Sequence, residues 1–88
     1  MIVEIFSDID SSIGELILEN PSLKDLKDLV GGNIKIYKLE NFVVIVKKRN
    51  AKKGISNRMI RKRYLKQLTE AGLLLKLSKV VLVIKNYF

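Results

Sequence analysis

The chain has 88 residues, a mass of 10.1 kDa and a formal net charge of +8, which suits one small core and is too short for a second. With neither cysteine nor histidine, it excludes disulfide frameworks, thiolate or imidazole metal centres and histidine acid–base chemistry. An apolar fraction of 48% is enough to offset chain ordering, so a single folded domain over residues 1–88 is expected rather than a disordered basic tail.

In chain order, Met1–Phe6 alternates, with Ile2, Glu4 and Phe6 in one register and Val3 and Ile5 in the other, and predicts a strand. This start carries Glu4, with Asp8 and Asp10 close behind, so it lacks the basic beginning and long apolar run of a signal peptide. Ser7–Gly14 supplies turn residues, and Glu15–Asn20 reads as a second short strand ending before Pro21, joined to the first as a hairpin. Ser22 then caps a helix, with Asp25 at the third helical position returning the bond, and Leu23, Leu26, Leu29 and Val30 form its apolar stripe. Asn20 and Pro21 offer an alternative start one or two residues earlier. Gly31 and Gly32 end the helix by accepting a positive backbone dihedral.

Ile34–Leu39 predicts a third strand, Glu40 and Asn41 a tight turn, and the β-branched run Phe42–Lys48 a central strand. The polar, glycine-containing stretch at 49–56 reads as an exposed loop. Ser56 or Asn57 caps a second helix over Arg58–Ala71, which Gly72 stops. Leu73–Leu77 either forms a short strand or extends the packing of that helix, and Val80–Ile84 is the last strand. The expected fold is α+β, in the order β-β-α-β-β-α-β, with a mainly antiparallel or mixed sheet and two helices. Apolar runs such as Phe42–Val46 are far shorter than a bilayer span, so the expectation is a cytoplasmic protein with no membrane contact.

The charge is polarised. Residues 1–44 hold eight acids and four bases, whereas residues 45–88 hold one acid and thirteen bases. Ten of those bases fall between Lys47 and Gln67 with no acid among them. Such a block makes a one-sided positive field that would steer an anion. Within the second helix, Ile60, Tyr64, Leu68 and Ala71 follow inward spacing, with Leu65 near the edge. Arg58, Lys62 and Lys66 then share another face, flanked by Arg61 and Arg63. Like charges so spaced repel by about 0.2–0.5 kcal/mol per pair, a cost that a polyanion would relieve.

Lysine and arginine are good helix formers, and a basic face also serves simply as a solvated surface. As a working surface, the block suits nucleic acid, DNA or RNA: Arg58, Lys62 and Lys66 would meet successive phosphates, and Lys47, Lys48, Arg49, Lys52 and Lys53 would approach from the strand end and loop. Arg61 or Arg63 would read guanine edges if the helix entered a major groove. The alternative partner is an acidic protein surface, bound by a small regulatory or inhibitory protein. Tyr37, Phe42, Tyr64, Tyr87 and Phe88 form no stacking pattern, and Tyr64 belongs to the inward stripe. An exposed strand edge would also allow a homodimer.

Catalysis is not expected. Glu4, Asp8, Asp10, Glu15 and Glu19 lack the ordered oxygen-ligand spacing of a calcium loop, and Gly31-Gly32 follows a helix instead of leading from a strand into one, unlike a phosphate-binding loop. The expectation is a non-enzymatic binding protein with no metal and no cofactor.

The segment "LKDLKDLVGGNIKIYKLENFVVIVKKRNAKKGISNRMIRKR" resembles a family of small uncharacterised proteins encoded mainly by phages, plasmids and prokaryotic genomes. The resemblance rests on Leu23, Leu26, Leu29, Val30, Gly31, Gly32 and Ile34, with Asn50 and the Asn57-Arg58 pair matching later polar signals. It spans about residues 2 to 84, and the chain departs from the pattern in its excess of lysine and arginine. The resemblance implies an α+β architecture and a viral or mobile-element origin. It brings no active residue.

Overall fold

A computed structural model describes residues 1–48, 57–74 and 76–85. The alternating start forms β1 (Ile2–Ser7), paired with β2 (Ser12–Ile17) as an antiparallel hairpin. β2 begins at Ser12 rather than at Glu15, because Ser11 adopts a left-handed conformation (φ 55) and closes the turn within Asp8–Ser11. Ser12 Oγ donates to Asp10 and braces that turn.

Helix α1 (Leu23–Val30) starts with the expected reciprocal cap. Asp25 N–H donates to Ser22 Oγ at 3.2 Å, and Ser22 N–H donates to Asp25 Oδ2 at 2.9 Å. Gly31 ends it at φ 89, and the N–H groups of Gly31 and Gly32 both donate to the Lys27 carbonyl. A β-carbon at Gly31 would meet nothing within 4 Å, so only backbone conformation resists substitution. Gly31→Ala is therefore expected to cost about 1–2 kcal/mol, seen as a lower urea midpoint with an unchanged slope.

The second hairpin, β3 (Ile34–Lys38) and β4 (Phe42–Lys47), precedes α2 (Arg58–Glu70) and β5 (Val80–Lys85). The five strands form one sheet in the order β2-β1-β5-β4-β3, each antiparallel to its neighbours. β5 lies between the two hairpins, and both it and β4 are covered on the two sides of the sheet. That explains why "VVLVI" and "FVVIV" read as unbroken apolar runs instead of alternating.

On one side, Ile60, Tyr64 and Leu68 of α2 pack with Phe6, Phe42, Val44, Val46, Val81 and Val83. On the other, Leu26 and Val30 of α1 pack with Val3, Val43, Ile45, Leu82 and Ile84. Each fully buried aliphatic chain contributes roughly 1.5–3 kcal/mol. Leu73 and Leu77 are buried in the α2 cluster and belong to no described strand, so these two residues extend the packing of the helix. No helix among the described residues is long and apolar enough to cross a membrane.

Candidate nucleic-acid interface

The basic helix is positioned from its first residue. Asn57 is its N-cap and is fully buried. Its side-chain oxygen accepts from the N–H groups of Met59 and Ile60, satisfying two of the donors that a helix start leaves unpaired. Its amide nitrogen donates to the carbonyls of Phe6, Ser78 and Lys79. One side chain thus ties α2 to the end of β1 and to the approach to β5. The first turn of α2 contains no acid. Asp8, from the β1–β2 turn, supplies one by accepting the Arg58 N–H at 3.3 Å.

With Ile60, Tyr64 and Leu68 turned into the core, Arg58, Lys62 and Lys66 are exposed. Tyr64 is held between Phe6, edge-on at 5.9 Å, and Phe42 at 5.0 Å, which makes it core and not a stacking platform. Its backbone is non-helical (φ −123, ψ 30), so α2 kinks there. The kink interrupts the row that sequence spacing draws. Arg58, Arg61 and Lys62 line one open groove of about 530 Å³ with Ser11, Met59 and Leu65, whereas Lys66 lies past the kink and outside its lining. Among the described residues, the lining carries no carboxylate. Leu65, 51% exposed, supplies apolar surface among the bases.

Arg63 is placed differently from its neighbours. Its guanidinium pairs with Glu4 of β1 at 2.8 Å and stays half exposed. Glu4 itself is buried, accepting also from the Tyr64 hydroxyl and from Lys85 at 3.3 Å. Burial alone would raise the Glu4 pKa, but Tyr64, Lys85 and Arg63 together outweigh it and hold the carboxyl below its ordinary value. Burial, with the Glu4 carboxylate beside it, pushes the Tyr64 phenol up. Arg63 is thus engaged in a structural ion pair, and the guanine-reading role suggested for it competes with that pair.

Of the remaining described bases in the block, the sheet sets Lys47 apart from α2. Lys47 follows Val43 and Ile45 in strand alternation, which places it on the α1 side, away from α2. Its stem lies against Gly32, where an added β-carbon would come 3.0 Å from Lys47 Cε. Lys48, also exposed, donates its backbone N–H to the Asn33 carbonyl. Arg49, Lys52 and Lys53 lie outside the described residues. So do Tyr87 and Phe88.

Sequence reasoning saw Asn57 only as a cap and missed its three carbonyl partners. It also missed Glu4, although an acid among Ile2, Val3, Ile5 and Phe6 was itself a signal of a buried ion pair. No family model, curated protein or solved structure matches this chain.

Proposed function

We propose that this protein is a non-enzymatic module that binds nucleic acid through the phosphates, using the exposed face of α2. The observation that supports this reading is that Arg58 and Lys62, both exposed, line one groove together with Arg61. Two cations one helical turn apart suit successive phosphates, and Lys66 extends the positive field past the kink. Contacts of this kind position a backbone and carry little base specificity.

The test is quantitative binding of single- and double-stranded oligonucleotides, DNA and RNA, across salt concentrations, for the native chain and for Arg58→Ala/Lys62→Ala/Lys66→Ala. Native affinity is expected to fall steeply with salt. Loss of three phosphate contacts should make the log–log slope shallower by about 2–3, with the circular dichroism spectrum unchanged. No binding at low salt, or equal slopes for the two proteins, would defeat the reading.

Leu65 favours a second reading, in which a regulatory or inhibitory protein docks an acidic partner with an apolar contact at its centre. Leu65→Ser separates the two. Phosphate binding should not respond to it, whereas a protein contact seated on Leu65 and Met59 should weaken.

A further inference from the structure

The two edges of the sheet differ in charge and run in the same direction. Every residue of β2 is exposed, and neither buried cluster includes a residue from it. Among the described residues, no strand pairs with its outer edge. It carries Glu15, and from Met1 to Leu23 the chain contains five acids and no lysine or arginine. The opposite edge, β3, is basic through Lys35 and Lys38. Like edges therefore repel, whereas unlike edges attract.

The strand directions and faces specify the match further. β2 and β3 run in the same direction, because three antiparallel steps through β1, β5 and β4 lead to a fourth. Pairing partners assign Glu15 and Ile17 to the α2 side, opposite Glu4 and Ile2, and Lys35 and Tyr37 to that same side, opposite Val46 and Val44. Leu16 and Ile36 share the α1 side, opposite Val3 and Ile45.

A second copy that continues the sheet without inverting its faces sets β3 parallel to β2. In one register Glu15 meets Lys35, Leu16 meets Ile36 and Ile17 meets Tyr37. Slipping by one residue would put each side chain against the wrong face. A slip of two keeps the faces but sets Glu15 opposite Tyr37 or Asn33 instead of Lys35; the charge-matched register covers Ile17 and Ile36, which are 72% and 46% exposed in one copy.

We propose that the chain self-associates head to tail, with β3 of one copy adding to β2 of the next. The contact is heterologous, so it builds chains or rings of copies instead of the two-fold homodimer that like-with-like pairing gives. It does not depend on the nucleic-acid reading.

Sedimentation velocity on the full chain without nucleic acid tests it. Average mass should rise with protein concentration at low salt and fall back at high salt. Glu15→Lys and Lys35→Glu should each, alone, raise the concentration needed for assembly by about tenfold or more. An equimolar mixture of the two variants should assemble again, because each supplies the charge that the other needs. A native chain that stays at monomer mass throughout overturns the proposal. So do single variants that assemble as well as the native chain, or a mixture that fails to recover. Both substitutions are at exposed positions, and circular dichroism verifies that the variants are folded.

Discussion

Asn57→Ala is expected to destabilise the protein by about 2–4 kcal/mol, a large share of the roughly 4–13 kcal/mol typical of a domain this size. Two losses combine. The N–H groups of Met59 and Ile60 lose their cap, and the carbonyls of Phe6, Ser78 and Lys79 lose a donor in a place where water does not replace it. Asn57→Asp distinguishes the two contributions. It retains the oxygen that caps the helix but turns a carboxylate toward those carbonyls, so it should be no more stable than Asn57→Ala. Urea denaturation measures both variants. If the aspartate variant matched the native chain, Asn57 would be acting as an ordinary cap and the bridge would count for nothing.

The second large effect is at Glu4. Glu4→Ala leaves the buried Tyr64 hydroxyl without its acceptor, while Arg63 and Lys85 are half exposed and regain water. The expected loss at neutral pH is about 2–4 kcal/mol, most of it from the unpaired hydroxyl and the vacated site, with the two ion pairs discounted for solvent. Because the folded Glu4 carboxyl titrates below its ordinary value of 4.5, its contribution is fully present above that value. It is lost as pH falls through the lower, folded value. The gap in stability between native chain and variant should therefore narrow on acidification below about 4.5. Glu4→Gln, which keeps oxygen and nitrogen at the site without the charge, should lose less at neutral pH and show a flatter acid limb. A gap that widened on acidification would contradict this account of the cluster. Glu15, directly opposite Glu4 on the neighbouring strand, is the adjacent charge of like sign, and its presence makes the cationic partners of Glu4 more necessary.

Local periodicity and cap chemistry made the order of elements readable. Ser22 and Asp25 announced α1, Gly31 its end, and the β-branched runs announced β4 and β5. The spacing of Ile60, Tyr64 and Leu68 gave the inward face of α2, and with it the exposure of Arg58, Lys62 and Lys66. What could not be read depends on partners distant in sequence. Nothing local pairs Arg63 with Glu4, 59 residues away, or aims Asn57 at a carbonyl 51 residues back. The contiguity of the basic block was misleading for the same reason. Strand alternation sends Lys47 to one side of the sheet while the helix presents Arg58 and Lys62 on the other, so these three bases do not share one surface. A strict count along "FVVIVK" would have placed Lys47 with Val43 and Ile45. The kink at Tyr64 has no proline or glycine to announce it.

The position of β5 also determines the order in which the sheet is completed. Each hairpin closes from residues near in sequence, yet the two share no strand until β5, the last of the five to be synthesised, inserts between β1 and β4. Until residues 80–85 leave the ribosome, the inner edges of both hairpins are unpaired and Val3, Phe6, Val44 and Ile45 lack their β5 neighbours. Completing the sheet therefore requires pairings between strands far apart in sequence, a topology expected to fold more slowly than one built from local turns alone.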